Sequence, residues 1–390
     1  MTILIVGAGV FGVAAAVALR RRGHRVRLID PGPLPHPLAA TTDISKAVRM
    51  EYGADEVYTA LMERALAGWR QWNEDAGEEL YHETGVIFAR RSPMTPGSFE
   101  GDSYHTLRRR GDPVERLDSA TIRRHFPAWN ADDYSDGTFN PVGGYAESGR
   151  VVEWMLRVAI NAGIEVSPGV RFNRLLETAG RITGIVTDTG EEIPADQVII
   201  AAGAWTPHLL PFLKDSLRSV GMPVFHLRPE DPGPFQPGVF PVFGADIAET
   251  GYYGFPVNRD GVVKIANHGI GREMHPESTE RAVNEEEIRH LRLFLDETFP
   301  VLAHAPLVYT RICLYCDTRD GHFWIARDPD RPGLVVATGG SGHAFKFAPL
   351  LGDWIADVSE GREDPLLDRF RWRPEVAPGR SEEAARRKEA

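Results

Sequence analysis

The sequence contains few cysteines, no long apolar run and no excess of positive charge. Its 390 residues include only Cys313 and Cys316, which excludes a disulfide framework. No apolar stretch approaches the roughly 20 residues that span a bilayer. The first strand begins too early to follow a cleaved signal, so we expect a cytoplasmic location and no membrane partner. The net charge of −11 argues against nucleic acid as a partner.

The length and composition are those of a soluble enzyme with more than one core. Hydrophobic residues make up 42% and charged residues 25% of the chain, as in ordinary globular enzymes. A chain of 390 residues exceeds the usual size of a single core, so about two domains are expected.

The N-terminus carries the pattern of a dinucleotide-binding βαβ unit. An apolar strand at Thr2–Val6 is followed by three glycines in the spacing GxGxxG and by an alanine-rich helix. Gly7 permits the tight turn, Gly9 lets the backbone approach a pyrophosphate, and Gly12 lets the helix pack closely on the strand. The phosphates are then expected at the helix N-terminus, where unpaired amides favour negative charge.

Asp30 ends the second strand of this unit, 18 residues after Gly12. Its carboxylate can accept hydrogen bonds from a ribose, and its charge would repel a 2′-phosphate. The sequence therefore favours FAD or NAD over NADP.

The strand patterns predict an α/β fold in which the chain passes twice between a Rossmann-like nucleotide-binding domain and a second domain made mainly of antiparallel strands. A helix is expected in the second domain at about Asn284 to Thr298. Val170 and Gly203, at the ends of two strand patches of the nucleotide domain, are expected at the cofactor. The predicted boundaries are 1–84, 146–216 and 323–372 for the nucleotide domain, 85–145 and 217–322 for the substrate domain, and 373–390 for a polar tail.

Two predicted strands carry side chains that could do chemistry. In the segment 262–268, the strand period of two puts Lys264 and His268 on one face. The alternative is a half-exposed strand whose polar face is in water. In the segment 313–316, the same period puts Cys313 and Tyr315 on one side and Cys316 on the other. The two thiols therefore point apart, and the chain has no second cysteine pair, which argues against a metal or redox site. The alternative to a functional thiol is a buried inert cysteine.

The segment 43–49 is predicted as a helix capped by Asp43 or Ser45. On that helix Lys46 and Arg49 lie three residues apart, on neighbouring positions of one face. One or both could bind a carboxylate. The alternative is an ordinary solvent-exposed pair of cations.

Taken together, these segments resemble the monomeric sarcosine oxidase and N-methyltryptophan oxidase family of the D-amino acid oxidase superfamily. The resemblance covers roughly residues 2 to 370 and implies an FAD-binding domain of the glutathione reductase type. Beyond the opening βαβ unit, it rests on 252–256, on Lys264 with His268, on Cys313-Leu-Tyr315, on 320–325 and on 341–347, in family order.

The resemblance assigns roles on the flavin side of the site. Cys313 matches the cysteine that carries the flavin through a thioether, so FAD is expected to be covalently bound. Lys264 matches the lysine beside flavin N5 where oxygen reacts. Gly342 falls where a backbone carbonyl faces the substrate amine.

The resemblance also assigns the substrate side. Arg49 and Lys346 match the pair that holds the substrate carboxylate, and Lys346 also borders the cofactor. Tyr253, Tyr315 and His268 match side chains that line the substrate cavity.

This chain departs from the family at several positions, and substrate identity is what the departures put in doubt. Lys46 stands where the sarcosine enzymes have an arginine near the flavin, and Thr42 where they have a histidine. Gly340 and Ala344 also differ from the usual glycine-rich loop.

The resulting hypothesis is an FAD-dependent oxidase of a secondary or N-substituted amino acid, which forms an imine and reduces O2 to H2O2. The alternatives are a dehydrogenase of the same fold with a non-oxygen acceptor, and a flavin-binding or tRNA-modifying partner without turnover of its own. We expect no metal, and a monomer or weak homo-oligomer. Sarcosine, proline-like rings, N-methyl aromatic acids and sugar adducts all stay open as substrates.

Overall fold

A computed structural model describes residues 1–377. The strands, numbered in chain order, are β1 (Thr2–Val6), β2 (Arg25–Asp30), β3 (Lys46–Val48), β4 (Tyr81–His82), β5 (Val86–Arg90), β6 (Glu115–Leu117), β7 (Asp136–Asn140), β8 (Gly144–Ala146), β9 (Glu165–Pro168), β10 (Phe172–Thr178), β11 (Arg181–Thr187), β12 (Glu192–Pro194), β13 (Gln197–Ile200), β14 (Leu217–Leu227), β15 (Val242–Ala245), β16 (Tyr252–Gly254), β17 (Val263–Asn267), β18 (Arg272–Glu273), β19 (Leu307–Thr318), β20 (Trp324–Arg327) and β21 (Leu334–Thr338). The α-helices are α1 (Val10–Arg21), α2 (Glu56–Ala76), α3 (Phe99–Arg110), α4 (Ser119–His125), α5 (Ser148–Asn161), α6 (Thr206–Leu209), α7 (Ile247–Thr250), α8 (Glu285–Thr298) and α9 (Ala348–Glu360).

The first sheet is the predicted nucleotide-binding sheet, with strand order β20-β21-β13-β1-β2-β9. All its neighbours pair in parallel except β20 and β21. Strand β1 is apolar and buried almost throughout, as a central parallel strand must be. Its helix α1 packs closely on α9, because Gly352 lacks a Cβ that would lie 2.5 Å from the carbonyl oxygen of Ala14.

The second sheet is mainly antiparallel, in the order β18-β14-β17-β16-β15-β5-β7-β6, with β19 on the other edge of β14. An aromatic core that includes Trp129, Phe243 and Phe299 packs on one face of this sheet. Helix α8 covers this core, and its N-cap residue Asn284 forms a capping box with Glu287. The predicted fold class and the predicted helix at Asn284–Thr298 are therefore confirmed.

Two secondary-structure predictions are wrong. The segment 43–49 is not a helix, because Lys46–Val48 forms strand β3 and pairs with β8 over Gly144–Ala146. This distant pairing overrides the local capping pattern. The stretch 85–145 was expected to be mainly strands, yet it also contains α3 and α4.

Within residues 1–377, no helix is both long enough and apolar enough to cross a membrane. Most of the predicted polar tail, 378–390, lies outside the described residues. Its first residue, Arg373, is attached to the fold, since its Nε lies 2.7 Å from a carboxylate oxygen of Asp320 and its guanidinium stacks on Trp324.

Candidate active site

A deep cleft runs from the glycine turn after β1 to the inner face of the second sheet. Its volume, which includes the open mouth, is about 1690 Å³. Residues of both sheets line the cleft, which also contains the glycine turn and the two cations Arg49 and Lys346.

The glycine turn at one end has the close approaches that the GxGxxG pattern predicts. Gly7 has φ = 105°, and a Cβ there would lie 2.5 Å from the carbonyl oxygen of Ala201. A Cβ on Gly12 would lie 1.8 Å from the carbonyl oxygen of Gly7. Gly9 is the N-cap of α1 and provides no capping side chain, so the first amides of the helix are left to bind another acceptor. These features fit the pyrophosphate of FAD.

Asp30 lies at the mouth of this turn and is held by backbone amides. Its carboxylate accepts hydrogen bonds from the nitrogens of Ala8 at 2.9 Å and Gly32 at 3.1 Å. The amide of Val170 donates to the carbonyl oxygen of Asp30 at 3.1 Å, but Val170 does not line the cleft, whereas Gly203 does.

Two buried cations, Arg49 and Lys346, line the opposite end of the cleft, where they are 7% and 4% exposed. Tyr52 joins them, because Lys346 Nζ donates to its hydroxyl at 3.0 Å and the Arg49 guanidinium lies 5.2 Å from its ring centre. Trp69 fixes the Lys346 backbone by donating to its carbonyl oxygen at 2.7 Å. The structure thus brings together two cations that lie almost 300 residues apart in the chain.

A carboxyl group lies behind these cations and was not anticipated from the sequence. Glu51 is 1% exposed and accepts a hydrogen bond from the Asn140 side chain at 3.3 Å. Burial raises the pKa of Glu51, and the charges of Arg49 and Lys346 act in the opposite direction. The acidic residue two positions after Arg49 was the available sequence signal.

Three predicted cavity residues meet next to the cations. His268 Nδ1 lies 3.3 Å from the hydroxyl of Tyr315, and the ring of Tyr253 packs edge-on to His268. Gly342 makes room for them, because its Cβ would lie 2.5 Å from the Tyr315 ring and 2.8 Å from the His268 ring. Burial raises the pKa of Tyr253, so its phenol is neutral at physiological pH.

Lys264 is buried, so the alternative of a half-exposed strand is wrong. Its Nζ donates to Asp43 Oδ2 at 2.7 Å and to the carbonyl oxygen of Ser45 at 2.5 Å. Burial lowers the pKa of Lys264 to about 8, the Asp43 carboxylate acts to raise it, and the nearby Lys46 ammonium acts to lower it. The lysine is not part of the cleft lining.

Asp43 is the centre of a buried charge cluster. Its carboxylate lies 3.6 Å from Lys46 Nζ and 3.4 Å from His226 Nε2, in addition to its pair with Lys264. Burial alone would raise the pKa of Asp43, but Lys264, Lys46 and Arg311 hold it well below its usual range. Asp43 is therefore a permanent anion, a role that its predicted place as a helix cap did not suggest.

The two cysteines point to opposite faces of β19, as the strand period predicts. Cys313 Sγ lies 3.7 Å from Lys46 Nζ and 3.8 Å from the carbonyl oxygen of Ala40. Lys46 and Ala40 both line the cleft. Cys316 lines the cleft from the other side, and burial raises the pKa of its thiol to about 11. Among the described residues there is no cluster of three or more side chains that could hold a metal ion.

A nucleotide cleft that has a glycine turn, two buried cations and a wall formed by a second sheet defines a dinucleotide-binding oxidoreductase. The chain belongs to the family of FAD dependent oxidoreductases, whose family model matches residues 2–358. The predictions of a flavin enzyme and of this family are confirmed.

Named relatives cover nearly the whole chain. Monomeric sarcosine oxidase from Streptomyces avermitilis is 30% identical over 92% of this chain and 93% of its own. N-methyl-L-tryptophan oxidase from Yersinia pestis is 28% identical over 95% of this chain and 99% of its own. Among solved structures, a fructosamine oxidase from Aspergillus fumigatus superposes with a TM-score of 0.85 and 27% identity, over 99% of this chain and 93% of that one.

Proposed function

We propose that this protein is an FAD-dependent oxidase of secondary or N-substituted amino acids. The C–N bond of the substrate is oxidised to an imine, water hydrolyses the imine, and O2 is reduced to H2O2. The observation that carries the proposal is the pair of buried cations, Arg49 and Lys346, at the end of a cleft built for a dinucleotide.

FAD supplies the redox chemistry, since it takes two electrons with a hydrogen from the carbon beside the amine and returns them to oxygen. The chain's part is to hold this cofactor in place. The amides after Gly7 and Gly9 receive the pyrophosphate, Asp30 receives the ribose, and Cys313 is our candidate for a thioether link.

Arg49 and Lys346 would anchor the substrate carboxylate. A guanidinium can bind a carboxylate through two parallel hydrogen bonds, and each charge-assisted bond contributes about 1.5–3 kcal/mol. The anchor fixes the Cα–H and C–N bonds relative to the cofactor, which is the alignment that the reaction requires. By the family resemblance, Tyr315, His268 and the backbone carbonyl of Gly342 would then face the amine and orient it.

Lys264 is the candidate for activating oxygen. A cation about 4 Å from a developing negative charge contributes on the order of 4 kcal/mol at an effective dielectric of 20, which is roughly a thousandfold in rate. This favours an oxidase. Two observations favour the alternative of a dehydrogenase. Lys264 does not line the cleft, and the Asp43 carboxylate at 2.7 Å offsets part of its charge.

A peroxide-coupled screen of N-substituted amino acids tests the function, with the flavin spectrum recorded anaerobically in parallel. Substrate-dependent bleaching together with peroxide supports an oxidase. Bleaching with a slow return of colour in air supports the dehydrogenase. A yellow protein that no N-substituted amino acid bleaches contradicts both.

A further inference from the structure

The wall of the cleft beside the cations is apolar. Val86 and Phe88 on β5, Val242 on β15 and Ile247 at the start of α7 all line it, and their exposed fractions lie between 1% and 7%. They belong to one hydrophobic cluster on the face of the second sheet opposite its aromatic core. This wall belongs to the second sheet, whereas the glycine turn belongs to the first.

The wall begins directly at the carboxylate anchor. The guanidinium carbon of Arg49 lies 5.7 Å from the centre of the Phe88 ring and 5.5 Å from that of Phe99. A carboxylate bound to Arg49 therefore places the atoms attached to its α-carbon against Phe88. On the Phe88 side of the anchor, the surface next to these atoms is apolar.

The backbone has two features that hold this wall in its shape. Gly244 pairs with Phe88 across the strands, and a Cβ there would lie 2.6 Å from two atoms of the Phe88 ring. Asp246, just before Ile247, adopts a left-handed backbone with φ = 46°, a conformation that costs a non-glycine residue free energy. The strained residue directs the chain so that Ile247 is the first helical residue and faces the cleft.

Building on the proposed oxidase function, we propose that the substrate is a monocarboxylic N-methyl-type amino acid with a branched apolar side chain, and that this side chain packs on Phe88 and Ile247. Among the described residues that line the cleft, Asp30 is the one acidic side chain, and it lies at the nucleotide end. The polyol of a sugar adduct would leave several hydroxyls without partners at the apolar wall, and each unpaired buried hydroxyl is unfavourable.

The test compares kcat/KM for four probes that all have an α-carboxylate and a secondary amine: sarcosine, N-methylleucine, N-methylaspartate and N-fructosylvaline. N-methylleucine and N-methylaspartate have nearly the same shape, so their ratio reports the polarity of the wall alone. We expect N-methylleucine to exceed N-methylaspartate and N-fructosylvaline by at least about 100-fold, since an apolar pocket gains from each methylene and rejects a charge.

Variants connect this preference to the wall. Ile247→Ala should lower kcat/KM for N-methylleucine by about tenfold, the effect of lost methylenes in a pocket, and should leave sarcosine nearly unchanged. Gly244→Ala should push Phe88 into the cleft and act in the same direction. Val301→Ala, at a residue that is 62% exposed, is the control. Calorimetric titration with 4-methylpentanoate, which has no amine to oxidise, should show the same loss of affinity in Ile247→Ala without turnover.

Two results overturn the substrate class and leave the oxidase function intact: N-fructosylvaline or N-methylaspartate equalling N-methylleucine, or Ile247→Ala affecting sarcosine and N-methylleucine equally. If none of the four probes bleaches the flavin anaerobically but another N-substituted amino acid does, the substrate class alone fails. If no N-substituted amino acid bleaches it, the oxidase function fails together with the substrate class.

Discussion

The ammonium of Lys264 lies 2.7 Å from the carboxylate of Asp43, and both side chains are 1% exposed. A buried ion pair of this kind is held by mutual charge, because either partner alone would be costly to desolvate. The family resemblance directs attention to the cation only. In this chain the cation and the anion act as one unit, and Lys46 lies 3.6 Å from the same carboxylate oxygen.

The first prediction concerns Asp43→Asn, which keeps the side-chain shape and removes the charge. Because the carboxylate acts to raise the pKa of Lys264, the variant should have a lysine whose pKa is below the value of about 8 in the natural protein. Lys264 is charged below its pKa and neutral above it. Stopped-flow reoxidation of reduced flavin by O2 should therefore slow as pH rises through about 8 in the natural protein, and at lower pH in Asp43→Asn.

Lys46→Met is the matched control, since Lys46 acts to lower the pKa of Lys264. Its reoxidation profile should shift towards higher pH, opposite to Asp43→Asn. The other groups that face Asp43, His226 and Arg311, are unchanged in both variants. Identical profiles in all three proteins would show that the Lys264 charge does not control the reaction with oxygen.

The second prediction is that Lys264→Met slows reoxidation by O2 roughly a thousandfold, as expected for loss of about 4 kcal/mol of charge stabilisation. Anaerobic reduction by substrate should change by much less. The variant also leaves Asp43 buried without its main partner, which should lower the free energy of unfolding by about 3–5 kcal/mol.

The double variant Lys264→Met with Asp43→Asn separates the two effects. It removes both charges, so thermal unfolding should show part of the lost stability regained, while reoxidation should stay slow. Recovery of oxygen reactivity along with stability would mean that the single variant was merely misfolded.

The sequence predicted those parts of the molecule that are specified locally. The glycine turn and β1 follow from residues within one βαβ unit, and α8 follows from the cap at Asn284. Helix α3 was missed although Ser98 and Gly111 cap its two ends, because its polar composition hides the helical period. In these cases the signal was in the neighbouring residues.

The site contacts could not be predicted in this way, because they join distant parts of the chain. Lys264 and Asp43 are 221 residues apart, and Lys346 and Tyr52 are 294 apart. Strand β3 was mistaken for a helix because its pairing partner β8 lies about a hundred residues away. The family resemblance identified Arg49 and Lys346, but it did not identify Tyr52 as the residue that both of them contact.

The third prediction concerns covalent attachment of the flavin. Cys313 has the Lys46 ammonium 3.7 Å from its sulfur, and it is the cysteine to which the family resemblance assigns the thioether. After acid precipitation the yellow colour should stay with the natural protein and with Cys316→Ser, and should be released from Cys313→Ser. Cys316→Ser is the matched control, because Cys316 is a second buried thiol on the same strand and lines the cleft, whereas Cys313 does not. If colour is released from Cys316→Ser and not from Cys313→Ser, the flavin is linked to Cys316.

The last prediction concerns the carboxylate anchor. Lys346→Met should raise KM for an N-methyl amino acid by about 10- to 150-fold, the equivalent of one charge-assisted hydrogen bond of roughly 1.5–3 kcal/mol. An N-methyl amine without a carboxylate should lose nothing, since its binding does not use the anchor. Tyr52→Phe removes the hydroxyl that holds Lys346 Nζ at 3.0 Å and should give a smaller loss of the same kind. If both substrates weaken equally in Lys346→Met, the lysine supports the fold of the cleft and does not bind the carboxylate.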